Sequence, residues 1–303
     1  ILSRISSSEL PTSKCSGTNC LNEIYMLSII ICSVSPERLK KTKSSIESTI
    51  GVEHEFIVID NNVRKWSLTK AYNEGAKMSR FPYLLFVHED VIFHAYGWGK
   101  FIMEKLREPG CGVIGYAGSK VMSGSYAGWN QDYDWNSLLL WQGTASGRTD
   151  LRAADVVLGH PFEEVAVLDG LALFVRRDVW EEFRFDELSL KGFHCYDVDF
   201  TLRVAASGKY HNYVCCSFSA IIEHTSEGNL NQSWYSDTIR MHKTCWKDLL
   251  PFSCIKGYDF GSRDFLKRRE KVAHYFLRNI ISAGYKEKYI VYREFIFSHP
   301  MTF

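Results

Sequence analysis

With 303 residues, the chain is long enough for one large α/β domain or two small ones. Its hydrophobic fraction of 46% can fill a sizeable core, and a formal net charge of +1 excludes a bulk polyanion binder, so no nucleic-acid partner is implied. Nine cysteines without a CxxC pair argue against a zinc site or disulfide framework and suit buried thiols in a reducing compartment.

The first 25 residues are polar and Ser-rich with no apolar h-region, and read as a poorly ordered leader or linker. A chain beginning at Met26 is therefore expected to keep its thermal midpoint. The β-branched run Leu27 to Cys32, bounded by Ser33 and Pro36, predicts a buried parallel strand. Pro36 to Ile50 has helical spacing through Leu39, Ile46 and Ile50. Glu55 to Asp60 predicts a second buried strand that runs into the polar Asp60-Asn61-Asn62. Ser67, as an N-cap, opens a helix to Met78 with Leu68, Tyr72 and Ala76 on one face. Tyr83 to Val87 predicts a third strand, ending abruptly in His88-Glu89-Asp90.

This βαβαβ order predicts half of a doubly wound sheet, in which ligands sit at the carboxyl ends of the strands. Ser33, Asp60 and His88-Glu89-Asp90 stand at those ends and should converge on one crevice. If the third strand continues, His88 and Asp90 face one side together, and a carboxylate there suits a hard divalent ion that also holds a diphosphate.

Trp98 to Arg107 predicts a helix closed by Pro109-Gly110. Residues 116–165, rich in Gly, Trp, Tyr and Ser, show no firm periodicity and are expected as a long functional loop. Within them Asp132-Tyr-Asp134 reads as turn chemistry. Gly115-Tyr-Ala-Gly-Ser-Lys120 lacks the Walker spacing. An apolar stretch from Val165 to Val175 contains Asp169-Gly170. Short helices follow over Asp178 to Phe183 and Asp197 to Ala206. Asp197 and Asp199 both fall in a first helical turn, where capping accounts for one Asp better than for two. Tyr213 to Ile222 is strand-like and leads to Glu223-His224. From Ser262 to Ser282 the pattern predicts an amphipathic helix with Phe265, Val272, Tyr275 and Phe276 on its apolar face and several basic residues outside. That face either packs on the domain or meets an anionic membrane, and the first is the expectation. No apolar run approaches the roughly 20 residues of a membrane span.

In chain order, Ser33, Asp60, Asn73, His88-Glu89-Asp90, Asp169-Gly170, Tyr196-Asp197-Val-Asp199 and His224 resemble the inverting family-two glycosyltransferases of the GT-A fold. The closest branch is the one whose metal motif reads His-x-Asp. The resemblance covers roughly Met26 to Trp246. It implies a mixed α/β sheet flanked by helices over residues 26–250, with residues 251–303 as a helical extension. It implies an inverting hexosyltransferase that uses Mn²⁺ or Mg²⁺ and a nucleoside-diphosphate sugar, UDP-linked. The acceptor would be a glycan, lipid-linked or protein hydroxyl, in polysaccharide biosynthesis. The location would be the cytoplasm or, peripherally, the inner face of the membrane.

Residue by residue, the resemblance places Ser33 and Asp60 at the nucleoside and Asn73 close to the donor pocket. Glu89 and His88 belong to the same donor set. Asp90 binds the metal, His224 completes it, and His88 is a further candidate ligand. Asp169 shapes the sugar or acceptor site. Asp197 matches the catalytic base. Tyr196 stands where many relatives carry Glu, which keeps Asp199 open as the alternative base. The acceptor is expected over Trp129, Trp135 and Trp141, whose alternative role is ordinary packing. Two other readings are a catalytically degenerate sugar- or nucleotide-binding module on the same scaffold and a nucleotidyltransferase. The second lacks its Gly-rich loop, since Ser33-Val34-Ser35-Pro36 stands in that place.

Overall fold

The computed structural model of the chain describes residues 25–144, 147–152, 160–225 and 230–298; the leader expected over residues 1–25 lies outside them except for Tyr25. Strand β1 (Met26–Ser33) is followed by helix α1 (Pro36–Thr49), whose N-cap Ser35 accepts from the Arg38 amide, with Pro36 at the first helical position. Strand β2 (Glu53–Asp60) leads into the short helix α2 (Asn61–Arg64), capped by Asp60, and then α3 (Leu68–Met78), capped by Ser67. Strand β3 (Tyr83–Val87) pairs in parallel with β1, and β1 with β2, in unbroken register from Met26↔Glu53 to Ser33↔Asp60.

Alternation along these strands divides the core in two. Ile30 and Phe86 point to one side, where Tyr72 of α3 covers them. Ile29, Ile31 and Val87 point to the other, against Trp98 and Ile102 of α4 (Trp98–Leu106). Burial on both faces explains why the strands read as continuous apolar runs. The sheet is completed by β5 (Cys111–Gly115), β10 (Phe162–Val165), β12 (Ala172–Arg176) and β13 (His211–Cys215), in the order β10-β13-β5-β12-β3-β1-β2. Strand β12 runs antiparallel between β3 and β5, so the sheet is mixed. A mixed sheet with helices on both faces is the GT-A arrangement.

A second sheet begins where β3 ends. It has the order β11-β6-β8-β14-β4, from β11 (Val167–Leu168), β6 (Ala117–Ser119), β8 (Asn136–Thr144), β14 (Ile222–His224) and β4 (Val91–Phe93), with β9 (Gly147–Arg152) paired to β8. Residues 116–165 are therefore not one long loop: β6, β7 (Val121–Met122), β8, β9 and β10 all fall there among the described residues. Several of their ladders are non-local, as in the pairing of Glu223 with Trp141, while β8 and β9 form a local hairpin whose residues do not alternate. The strand expected up to Ile222 breaks instead at a 3₁₀ turn, Phe218–Ala220, before β14 resumes.

Helix α5 (Arg177–Phe183) precedes α6 (Tyr196–Ala206), and α7 (Gln232–Lys243) follows β14. Strand β15 (Phe252–Ser253) pairs with β7, and α8 (Arg263–Ser282) and α9 (Lys288–Ser298) close the described chain. The apolar face expected on α8 is turned inward at Phe265, Val272 and Phe276, whereas Tyr275 is 59% exposed. The acidic pair Asp132 and Asp134 receives Arg268 of that helix, so it anchors α8. Among the described residues all seven cysteines are free thiols, and no helix is long and apolar enough to cross a membrane.

Candidate active site

His88, Glu89 and Asp90 form a turn between β3 and β4, so the strand alternation expected to align His88 with Asp90 does not operate. The turn is built by Glu89. Its buried carboxylate accepts from the Ser33 hydroxyl at 2.5 Å and from the Val34 and Ser35 amides at 3.0 and 2.9 Å. Thr42 donates to the Glu89 carbonyl at 2.6 Å. Ser33 and Glu89, both expected at the donor, bond to each other and fix the turns after β1 and β3, and Glu89 also lines the cavity described below.

That turn brings His88, Asp90 and His224 together, with one candidate ligand atom from each within 4.8 Å of the others. Strand pairing supplies the third, because His224 at the end of β14 lies opposite Val91. His224 Nε2 stands 3.6 Å from Asp90 Oδ1. That is too long for a hydrogen bond, and two ligands each about 2.1 Å from one ion stand roughly 3–3.6 Å apart.

The histidine protons fit the same reading. The Tyr196 hydroxyl donates its only proton to the Gly170 carbonyl at 2.9 Å, so at the 2.8 Å contact with His88 Nε2 it must accept. His88 is then the Nε2–H tautomer, and Nδ1 keeps its lone pair. His224 Nδ1 lies 3.3 Å from Gln142 Oε1, an acceptor, which leaves the Nε2 lone pair on the Asp90 side. Metal-bound histidines are oriented in this way by a partner on their other nitrogen. Burial pushes the His88 pKa down and favours the neutral imidazole that ligation needs. Two imidazoles and a carboxylate fit Mn²⁺ better than Mg²⁺.

Helix α6 supplies the carboxylates beside this cluster. Asp197, in its first turn, accepts from the Gly170 amide at 2.9 Å. Burial, and next to it the charge of Asp169, raise its pKa to about 7, while amides of the helix start oppose the rise. Asp199 points elsewhere: it is buried, accepts from Arg203 Nε at 2.9 Å and from Trp246 Nε1 at 3.1 Å, and anchors α6. Asp199→Asn should lose about 1–3 kcal/mol of stability with nucleotide binding retained, since it weakens a hydrogen-bonded pair whose Arg203 partner is partly solvated. Thermal unfolding beside calorimetric titration checks this.

Gly170 makes the site possible. A Cβ there would lie 2.0 Å from the Tyr196 hydroxyl and 2.9 Å from the Asp197 Cβ. Both side chains are held by the hydrogen bonds above, so neither can retreat cheaply. Gly170→Ala should cost about 1–3 kcal/mol, or roughly 2–12 °C in Tm, and displace His88 and Asp197 together. An unchanged Tm would show that the Tyr196 ring moves freely.

Two cavities meet at these residues. One, of about 440 Å³, lies over the carboxyl ends of β1 and β3 and is lined by Arg38, His88, Asp90 and Tyr196 among others. The second, of about 370 Å³, lies under β6, β8 and α8. Asp169, Asp197 and His224 line both. Asp60 caps α2 through the Asn62 amide at 3.0 Å and is exposed at the end of β2.

Asn73 is absent from both cavity walls. Its amide donates to the Phe185 carbonyl and to Glu187, and its oxygen accepts from the Phe185 amide and Trp180 Nε1. With its hydrogen-bonding capacity filled, it ties α3 to the loop before α6 instead of facing a donor. Of the three tryptophans expected at the acceptor, Trp129 lines the second cavity. Trp135 is buried against Phe265 and donates to Tyr258, and Trp141 lies under the Arg148 guanidinium at 3.7 Å. Three residues went unread in the sequence: Arg38, Trp234, which lines both cavities, and the hydroxyl of Tyr196. Arg38 carried one signal, its place in the first turn of the helix after β1.

By sequence, no curated protein matches the chain significantly. Among solved structures, GalNAc-T7 crystallised with UDP, GalNAc and Mn²⁺ is similar at 9% identity and a TM-score of 0.49, over 85% of this chain. The chain spans only 57% of that protein. S. aureus TarS 1-349 is similar at 14% identity and a TM-score of 0.44, over 85% of this chain and 72% of its own. A family model described as "Glycosyltransferase like family" matches residues 28–238, well over half of the 303, and on that match the chain belongs to this glycosyltransferase family.

Proposed function

We propose that the protein transfers a hexosyl group from a nucleoside-diphosphate sugar, UDP-linked, to an acceptor hydroxyl with inversion. The observation that carries the reading is the common wall of Asp169, Asp197 and His224 between the two cavities, the first of which also holds His88 and Asp90. The donor would occupy the first. Asp60 stands within reach of a nucleoside at the end of β2, and Arg38, 3.9 Å from Asp90, adds positive charge where a diphosphate would lie. His88, Asp90 and His224 would hold the divalent ion, which supplies charge against the departing diphosphate. Ser33, Glu89 and Asn73 are assigned to shaping the turns behind the cleft.

The Asp197 carboxylate would remove the acceptor hydroxyl proton as that oxygen bonds to the anomeric carbon and the bond from that carbon to the diphosphate breaks. With the donor in the first cavity and the acceptor in the second, attack would come from the face opposite the leaving group and invert the anomeric centre. A pKa raised to about 7 matches the base to neutral pH. Calorimetric titration with UDP tests the donor assignment: binding with Mn²⁺ present that is lost with chelator supports it, and equal binding in both conditions contradicts it.

A further inference from the structure

We infer that the acceptor is an amphiphile of lipid type, with its hydroxyl-bearing head at Asp197 and an alkyl chain in the second cavity. The inference deepens the transfer reading above and rests on it for the position of the head. The cavity walls carry it. On the strand side stand Leu138, Leu140, Leu151 and Leu171; on the helix side, Val272 and Phe276 of α8. Polar side chains gather at the edge shared with the donor cleft, where Asp169, Asp197 and His224 lie.

Away from that edge the lining is mostly apolar, with Trp129, Tyr275 and Asn279 as the groups a sugar could use. Asn130 already accepts from Asn136 at 2.7 Å, and Gln142 donates to the His224 carbonyl at 3.1 Å. A bare oligosaccharide there would lose hydration from several hydroxyls with few partners in return, at a cost that an alkyl chain does not incur. The volume of about 370 Å³ lies in the range of small-molecule sites. One polar end at the reacting carboxylate and one apolar end under α8 is the polarity of an amphiphile.

The test uses the whole chain and three glucosides that share one head group: octyl, phenyl and methyl β-D-glucopyranoside, each below micelle-forming concentration. Calorimetry measures their binding to wild type and to Leu151→Glu and Leu151→Met. Leu151 is only half-buried, so both variants should fold. Titration with UDP and Mn²⁺ runs on the same preparations. Octyl glucoside should bind at least about tenfold tighter than methyl, and tighter than phenyl. Leu151→Glu should lose about tenfold on the octyl compound alone, and Leu151→Met should restore it. Equal binding of octyl and methyl glucosides, or no effect of Leu151→Glu, overturns the inference. Preference for phenyl overturns the alkyl assignment. Failure of UDP to bind with Mn²⁺ counts against the donor reading, and the glucoside comparison still decides the cavity.

Discussion

Asp90→Asn should abolish Mn²⁺-dependent binding of a nucleoside diphosphate and, with it, turnover. The substitution keeps shape and one carbonyl-type oxygen, so the Glu89-centred turn and the Thr225 amide's bond to the Asp90 carbonyl at 2.9 Å survive. What is lost is the anionic ligand between two neutral imidazoles, the only negative charge within the three-residue cluster. A hard divalent ion prefers carboxylate oxygen, and an amide oxygen returns little of that affinity. Loss of at least about 100-fold in metal-dependent affinity is expected, as for disruption of a ligand sphere. His224→Ala should weaken the same binding less severely, since His88 and Asp90 remain. The readout is calorimetric titration with UDP at saturating Mn²⁺, beside thermal unfolding to show that both variants are folded. Wild-type affinity in Asp90→Asn would remove the metal assignment.

Asp197→Asn should lower the transfer rate by about 10²–10⁴, the usual worth of a general base, while donor binding persists. Its pH dependence is a sharper readout than its magnitude. Burial and the nearby Asp169 raise the Asp197 pKa to about 7, so the ionised, proton-accepting form dominates only above that value. Wild-type rate should therefore fall as the pH is lowered through about 7, and this acid limb should vanish in the variant. Stability carries the opposite sign. A carboxylate whose folded pKa is raised opposes the fold once it ionises, so removing its charge should leave Tm unchanged or higher. Burial raises the Asp199 pKa as well, so in Asp199→Asn stability is lost with geometry and not with charge: an Asn offers one acceptor oxygen where Arg203 Nε and Trp246 Nε1 need two, and the acid limb is kept. If Asp199→Asn is folded and inactive while Asp197→Asn turns over, the two roles are exchanged.

The first half of the sheet was legible because its signals are local. Continuous apolar runs gave β1 to β3, and Ser67 marked a helix start that the structure caps as expected. The convergence of His88, Asp90 and His224 followed from strand ends together with the resemblance. Their alignment came about differently, through a turn held by Glu89 and not through strand alternation. Such partner choices were out of reach. Ser33 meets Glu89 across 56 residues and Asn73 meets Phe185 across 112, and no spacing rule links them. Strands β6 to β9 were unreadable for two reasons: β6 and β7 are short and pair with distant segments, and the β8–β9 hairpin, though local, carries no apolar alternation.

Tyr196 is the instructive case. In the sequence it was a departure that left two Asp residues competing. In the fold its hydroxyl bridges His88 and the Gly170 carbonyl and so sets a histidine tautomer. A change that read as loss of an acidic residue is a gain of a positioning contact.

Nucleoside-diphosphate release tests metal-dependent glycosyl transfer from a nucleotide sugar most directly. The protein would be incubated with a panel of UDP-, GDP- and TDP-sugars, with Mn²⁺, with Mg²⁺ or with chelator, in the presence of octyl glucoside as acceptor. Release from at least one donor, faster with Mn²⁺ than with Mg²⁺, abolished by chelator and by Asp90→Asn, is the predicted result. Release that persists undiminished in chelator and in Asp90→Asn, or no release from any donor by a folded protein, would contradict it.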